Sequence, residues 1–291
     1  MNPIVRLLLL AAAALYAVVL TGCSAVRLGY GNADSLARWW IDQYVDLTPE
    51  QDALTRERLV RLHAWHRKTQ LPDYANLLRE ARGLATGRLT GADGVGLTDA
   101  TIRRIRTLAD QAIPDAADLL VTLTPAQIDR MSARLAEKTA DFAKEIRLVE
   151  GEAGQRKARF KRLLERAEYW FGGFSDEQEA AIRRLVDAQP TGAQFWFDER
   201  LRRQRDWLDL VRKVQAEKPS RERVILLLRD YAEHFDLPTD PARRAAAIAL
   251  RKASAELTAG IQAMTTPSQR DHARHKFDDL IREVGELAQE N

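Results

Sequence analysis

The chain is poor in cysteine and has only one long apolar run. Cys23 is the single cysteine among 291 residues, so no disulfide can form within the chain and packing must stabilise it. The apolar run extends from Leu7 to Leu20, which is shorter than the roughly 20 residues that a membrane-spanning helix needs. A basic residue, Arg6, precedes the run. This pattern is typical of a secretory signal peptide, here residues 1–22.

The residues that end this segment, Leu20-Thr21-Gly22-Cys23, resemble a bacterial lipobox. The resemblance implies cleavage before Cys23, a diacylglyceryl thioether on its sulfur and an amine acylated by a fatty acid such as palmitate. Several acyl chains anchor a protein firmly to a membrane. Ser24, rather than an aspartate, follows the cysteine, which by resemblance implies the periplasmic face of the outer membrane. We expect residues 23–34 to form a lipidated tether. The alternatives to cleavage and lipidation at Cys23 are an uncleaved anchor helix or a buried thiol.

Several classes of function lack support in the composition and motifs. The 45 Lys and Arg residues nearly balance the 42 Asp and Glu residues, and both signs are mixed along the chain. This balance does not favour nucleic acid as a partner. The chain has no serine nucleophile elbow, no phosphate-binding loop and no His-Glu-x-x-His zinc motif. We therefore expect neither a cofactor nor a metal, and a protein that is not an enzyme.

The residues after about Ser35 indicate an all-α multi-helix bundle. Ala, Leu, Arg and Glu dominate this region, and alternating β-branched runs are absent. One helix-start pattern, a Ser or Thr with Pro or Asp directly after it and Gln three residues after it, occurs four times, at Thr48, Thr124, Ser175 and Thr266. This spacing predicts a capping box, in which each side chain satisfies a free backbone N–H of the first turn. Further helices are predicted to start near Thr98 and at Asp240-Pro241.

The order of these patterns suggests an internal duplication. Aromatic pairs precede the first and third boxes, and a capped amphipathic helix closes each half. We interpret the chain as two related helical halves, residues 35–150 and 151–291. The alternative is that any helical protein reuses the same cap chemistry. We also predict a flexible loop over residues 87–96 and a kink or a break at Pro114.

The motifs together resemble an uncharacterised family of Gram-negative lipoproteins, known as a domain of unknown function. The resemblance is carried by the lipobox, Trp39-Trp40, Trp65-His66-Arg67, Leu71-Pro72-Asp73-Tyr74, Tyr169-Trp170-Phe171-Gly172 and the region of Trp196. It implies a helical envelope protein and supplies no activity. The Leu-Thr-x-x-Gln runs at Leu47 and Leu123 also resemble the motif of periplasmic stress proteins, which bind unfolded chains or sense envelope stress.

Clustered tryptophans are the best candidates for a binding surface. Adjacent residues of a helix point in different directions, so part of Trp39-Trp40 and of Phe195-Trp196-Phe197 should leave the core. We select Trp39, Trp40, Trp65 and Trp196 as contact residues; burial in the core is the alternative. The pairs His63/His66 and His272/His275 have a spacing that could bind a metal, and the basic run 156–162 could contact anionic head groups. We expect instead that His66 is a hydrogen-bonded residue at the boundary of the core and that the basic run forms a solvated helix face.

These observations lead to three expectations about function. The first is a non-enzymatic binding or scaffold module of the cell envelope, with an envelope protein or peptide as its partner. The second is a chaperone-like or stress-sensing periplasmic protein. The third is an enzyme acting on cell wall or lipid, which would need two carboxylates in a cleft.

Overall fold

A computed structural model of the chain describes residues 25–290, so Cys23 and the predicted signal peptide lie outside the described residues. Within that range the chain contains helices and no strand, which confirms the all-α prediction. The first six helices are α1 (Ala25–Gly31), α2 (Ala33–Val45), α3 (Pro49–Thr69), α4 (Leu71–Thr86), α5 (Gly91–Leu120) and α6 (Pro125–Glu145). A 3-10 turn (Leu148–Glu150) precedes α7 (Gly151–Phe171), α8 (Asp176–Asp187), α9 (Ala193–Glu217), α10 (Arg221–Phe235), α11 (Pro241–Ala263) and α12 (Pro267–Gln289). None of these helices is long and apolar enough to cross a membrane.

All four predicted capping boxes are confirmed. In the first, the Gln51 backbone N–H donates to Thr48 Oγ1 at 3.3 Å, and the Thr48 N–H donates to Gln51 Oε1 at 3.0 Å. The same two bonds form at the starts of α6, α8 and α12. Each box satisfies two backbone donors that a helix start leaves unpaired. The predicted helix start at Asp240 is also confirmed.

The prediction for residues 87–98 is wrong. Helix α5 begins at Gly91 rather than near Thr98, and only a short segment separates it from α4. Thr90 is its N-cap and forms a fifth capping box with Asp93. Carboxylate oxygens accept from the cap N–H as the Gln oxygen does in the other boxes, so this glycine-rich segment is a helix start and not a flexible loop.

Pro114 does not split α5, which is continuous from Gly91 to Leu120. Ile113 and Ala117 on either side of the proline are buried in the core. The Pro114 carbonyl accepts a hydrogen bond from Arg221 Nη2 at 3.3 Å. Packing on both sides of the proline therefore holds the helix together where its own hydrogen-bond ladder lacks one donor.

The described part of the predicted tether is helical. Helix α1 and the start of α2 occupy it, and α1 packs on the body of the protein. Tyr30 Oη lies 2.8 Å from His66 Nδ1 on α3, and Arg27 forms an ion pair with Glu286 on α12 at 3.3 Å. The chain is thus attached to its body within a few residues of Cys23.

Three clusters of buried apolar side chains form the core. The largest joins α2, α5, α6, α9 and α10, the second joins α7, α8 and α11, and the third joins α4 to α12. The largest cluster therefore draws on both predicted halves. Burial of these side chains, at about 25 cal/mol per Å² of apolar surface, is the main source of stability in a chain without disulfides.

The two predicted halves exchange helices. Helix α9 packs on α6, and α4 packs on α12, so each half places a helix against the last helix of the other. Within each half, the helix before the first box packs on both capped helices: α2 on α3 and α6, and α7 on α8 and α12. This correspondence is what a duplicated unit would produce. The duplication itself stays a prediction.

Candidate functional site

An open apolar groove of about 680 Å³ lies on the largest core. Helices α2, α5, α6, α9 and α10 all contribute to it. Its apolar walls are formed by Ile41, Val45, Leu119, Leu120, Leu123, Met131, Leu135 and Phe142, with Trp40, Tyr44, Trp196, Trp207, Tyr231 and Phe235 as the aromatic residues. This volume lies within the range of small-molecule binding sites in proteins, which are mostly apolar with a few polar groups.

A second groove of about 630 Å³ continues the first along α5 and α10. The two grooves share Ala116, Trp207, Tyr231 and Phe235. Ile105 lines the second groove and is 59% exposed. Large exposed apolar side chains that gather around a concave surface mark a contact site more often than scattered ones do.

The structure brings together two of the four candidate tryptophans. Trp40 on α2 and Trp196 on α9 both line the first groove, and Trp40 is 58% exposed. Trp39 is equally exposed but does not line the groove, and Trp65 is half-buried on α3 beside His66. Trp207, which the sequence analysis did not select, contributes to both grooves. The groove therefore combines Trp40, from the segment before the first capping box, with Trp196, from the segment after the third box.

The first two capping boxes position one edge of this groove. The Gln127 amide donates to the Asp46 carbonyl at 3.0 Å, and the Gln51 amide donates to the Thr122 carbonyl at 3.2 Å. The residues next to these carbonyls, Val45 and Leu123, are buried and line the groove. The cap motif thus fixes the connections before α3 and α6 as well as the helix starts.

Helix α9 is held in place by a buried carboxylate that the sequence analysis missed. Glu199 is fully buried and accepts hydrogen bonds from Arg202 Nε at 2.9 Å and from Arg243 Nε at 2.8 Å. Burial opposes ionisation of Glu199, but the two guanidinium groups outweigh it and keep the pKa of the carboxyl below its usual value. Arg243 belongs to α11, so this pair fixes α9 against α11. The spacing of Glu199 and Arg202 on one helix face was the available signal.

The start of α9 depends on Gly192. Its φ of 62° lies in the left-handed region, and a Cβ there would come within 3.0 Å of Leu250. Only glycine meets both conditions without strain. The Trp196 N–H donates to the Gly192 carbonyl at 3.0 Å, so the close approach at Gly192 sets the position of Trp196 in the groove.

Two guanidinium groups provide the charge of the groove. Arg200 lies over the Phe142 ring and donates to Thr139 Oγ1 at 3.2 Å and to the Lys138 carbonyl at 3.3 Å. Arg203 lies over the Phe235 ring at 4.8 Å. Neither arginine was predicted as a site residue, although Trp196, Arg203, Trp207 and Val211 follow one helical stripe.

Three further polar side chains of the groove are bonded within the protein. Trp207 Nε1 donates to Met131 Sδ at 3.1 Å, and Tyr231 Oη donates to the Arg203 carbonyl at 3.1 Å. Gln204 Oε1 accepts from Thr139 Oγ1 at 2.8 Å. Burial raises the pKa of Tyr231 to about 12, so its hydroxyl stays protonated and serves as a donor.

The pair His63/His66 lies among tyrosine and aspartate side chains at the contact with α1. His66 contacts Tyr30 through Nδ1 and Tyr74 Oη through Nε2 at 3.1 Å, so both ring nitrogens are occupied. His63 Nδ1 lies 4.0 Å from Asp34. Residues 25–290 contain no cluster of three or more His, Cys, Asp and Glu side chains suited to a metal ion.

The basic run 156–162 is largely engaged in the fold. Arg156 donates to the carbonyls of Val186 and Gln189 at the end of α8, and Arg162 donates to the Glu145 carbonyl at the end of α6. Guanidinium groups in these positions satisfy carbonyls that a helix end leaves free. Lys161 forms an ion pair with Glu165 at 3.7 Å. A structural role thus accounts for much of this run.

A family of unknown function (DUF6279) matches residues 43–233, more than half of the chain. The chain belongs to this family. The matched range includes every residue of the first groove except Trp40, Ile41 and Phe235. No curated protein and no solved structure matches the chain. The family has no stated function, so the match says only that most residues of the groove lie within the range shared by the family.

Proposed function

We propose that the protein is a lipid-anchored, non-enzymatic binding module of the cell envelope, attached through Cys23 to the periplasmic face of the outer membrane. In this proposal the first groove binds the apolar part of an envelope ligand. The observation that carries the proposal is the convergence of Trp40 and Trp196 on one open apolar groove. Aromatic side chains contribute large apolar contact areas at low cost in side-chain entropy.

The chemistry of the groove supports binding rather than catalysis. Its lining, among the residues described, includes no Asp, Glu, His or Ser. Glu199, the buried carboxylate directly before Arg200 of the lining, is bonded to two arginines and holds α9 in place. A cell-wall hydrolase would instead need two carboxylates facing a cleft.

Photo-crosslinking in living cells tests the binding surface. A benzophenone amino acid would replace Trp40 or Trp196 one at a time, with exposed Tyr169 on α7 as the matched control position. We expect the two groove positions to yield one dominant adduct that the control position lacks. Equal yields at Tyr169, or no adduct at either groove position, would overturn the proposal. A broad set of unrelated unfolded chains would favour the chaperone-like role.

A separate measurement tests the anchor. Wild-type cells fed radiolabelled palmitate should label the protein and retain it in the outer-membrane fraction, because several buried acyl chains hold a protein there. The Cys23→Ala variant should lose the label and leave that fraction. An unlabelled wild-type protein would contradict lipidation at Cys23 without bearing on the groove.

A further inference from the structure

Arg203 stands out among the residues of the first groove. Arg200 and Arg203 are the only charged side chains of its lining, and both are positive. In the part of the chain that the structure describes, the Arg203 guanidinium forms no ion pair within 4.0 Å, and its Nε is buried without a hydrogen-bond partner. A buried donor without a partner is costly for a folded protein.

Other arginines near Arg203 form ion pairs with carboxylates of the protein. Arg202, one residue earlier, pairs with Glu199 and with Asp206 at 2.9 and 2.8 Å. Arg251 pairs with Asp236, the residue directly after α10, at 2.7 Å. Burial lowers the pKa of Arg203 from its usual value, and the more distant charges of Glu199 and Asp236 offset this effect only in part. The Phe235 ring beneath it attracts a cation but accepts no hydrogen bond in its plane.

The walls of the groove favour an acyl chain over a polypeptide. An extended peptide carries a donor and an acceptor on each residue, and burying them without partners is unfavourable. Gln204, Trp207 and Tyr231 already use their polar groups within the protein. The described residues also offer no strand edge to pair with. A hydrocarbon chain needs no hydrogen bonds and gains from burial against Leu120 and Leu135.

We propose that the first groove binds a fatty acid, with the acyl chain along its apolar walls and the carboxylate on Arg203. This inference rests on the proposed binding function and specifies its ligand. A carboxylate matches the planar fork of a guanidinium and can accept two hydrogen bonds from it. Arg200, three residues earlier on the same helix, adds a second positive charge to the lining of the groove.

Binding can be measured with the chain from Ser24 to Asn291, which contains every helix described. Dodecanoate and the uncharged dodecyl alcohol would be titrated below their aggregation concentrations, with fluorescence of the groove tryptophans as the readout. We expect dodecanoate to bind at least tenfold more tightly than the alcohol, because charge-assisted hydrogen bonds are stronger than neutral ones. Equal affinities would overturn the inference, as would tighter binding of dodecyl phosphate or of an apolar peptide.

The Arg203→Gln variant tests the assigned residue. We expect it to weaken dodecanoate binding at least tenfold and to change binding of the alcohol less than twofold. Arg205→Gln, on an exposed part of α9, removes the same charge outside the groove and should change neither. Circular dichroism would confirm that each variant is folded, and Arg200→Gln provides a second variant with a smaller expected loss. Unchanged selectivity in both groove variants would overturn the inference.

The length of the acyl chain separates this inference from the proposed function. Each buried methylene should tighten binding about fourfold until the groove is filled. If octanoate, decanoate and dodecanoate follow this trend but the alcohol binds equally well, the groove binds apolar ligands and only the carboxylate assignment fails. If no acyl ligand binds and crosslinks still form at Trp40, the fatty-acid inference fails while the proposed function stands.

Discussion

Gln51 and Gln127 donate a hydrogen bond to each other, from Gln127 Nε2 to Gln51 Oε1 at 2.6 Å and from Gln51 Nε2 to Gln127 Oε1 at 3.2 Å. Each glutamine also caps its own helix and donates to the carbonyl two residues before the partner's cap. Gln178 and Gln269 repeat this arrangement, with Met264 and Gly173 as the two carbonyl acceptors. The four cap motifs thus form two reciprocal pairs.

Replacing Gln51 by Ala should destabilise the protein by about 2–4 kcal/mol. The change removes one cap interaction, leaves one N–H of the buried Gln127 amide without its acceptor, and leaves the Thr122 carbonyl without the Gln51 donor. Urea denaturation followed by circular dichroism measures the effect. Gln194→Ala, an exposed site on α9, is the control and should change the free energy of unfolding by less than about 0.5 kcal/mol.

The double variant Gln51→Ala/Gln127→Ala should lose less stability than the sum of its single variants, because the second change removes a group that was already unpaired. The pair Gln178/Gln269 should behave in the same way. Additive losses at both pairs would show that the glutamines act as separate caps and not as reciprocal partners.

The tryptophans of the groove should separate into binding and stabilising residues. Trp40 is 58% exposed, so Trp40→Ala should cost less than about 1 kcal/mol of stability while reducing ligand capture. Trp207 packs on the largest core and bonds to Met131, so Trp207→Ala should cost about 3–5 kcal/mol. Thermal unfolding of both variants beside a crosslinking assay distinguishes the roles. A large loss of stability in Trp40→Ala would assign that residue to the core.

Acid should loosen the contact between α1 and the body of the protein. Burial lowers the pKa of His63 and of His66 from their usual value of 6.5, with the positive charge of Arg67 adding to the effect at His63 and the neighbouring His63 adding to it at His66. The unfolded chain therefore binds more protons than the folded chain below pH 6.5. The free energy of unfolding should fall as the pH drops from about 6.5 to 5, by at most about 1.4 kcal/mol per pH unit for each histidine.

Urea denaturation at several pH values measures this dependence. Asp34 and Arg67 are the charged groups nearest to the pair, and Tyr30 and Tyr74 are its neutral contacts. His63→Leu should flatten the curve between pH 5 and 6.5, because it removes one titrating imidazole whose Nε2 has no partner. His275→Gln, an exposed site on α12, should leave the curve unchanged. A flat wild-type curve over this range would contradict the assignment.

Removing the charge of Glu199 should destabilise α9 against α11. Glu199→Gln leaves Arg202 and Arg243 without their buried carboxylate and should cost about 3 kcal/mol, as breaking a buried ion pair does. The exposed substitution Glu217→Gln on the same helix is the control. Denaturation above pH 6 measures the difference, where the wild-type carboxylate is fully ionised. A neutral result would mean that the arginines find other partners.

Much of the fold could be predicted from local sequence. The four cap motifs are recognisable because the cap and the third helical residue interact within one turn, so their chemistry depends on spacing alone. Residues 87–98 were misjudged because the same chemistry, at Thr90 and Asp93, lies among glycines that are typical of loops. A break at Pro114 is absent because Arg221 bonds there and because Ile113 and Ala117 pack against segments distant in sequence.

The candidate site could be predicted only in part. Clustering at Trp39-Trp40 and around Trp196 pointed to surplus aromatic side chains, and two of the four selected residues share the groove. The joining of Trp40 to Trp196 could not be seen, because 155 positions separate them and periodicity does not report which helices pack together. The lack of an ion-pair partner for Arg203 could not be predicted either, because it depends on where all neighbouring side chains lie in the folded chain.

The sequence by itself determined the helices and their starts, because caps, apolar stripes and helix-forming residues act over a few positions. Only the tertiary structure decided that the cap glutamines pair with each other, that the two halves exchange α4 and α9, and that Arg203 faces an apolar groove without a carboxylate. Each of these features depends on contacts between distant segments. Long-range packing selects such contacts through shape and burial, which no local pattern encodes.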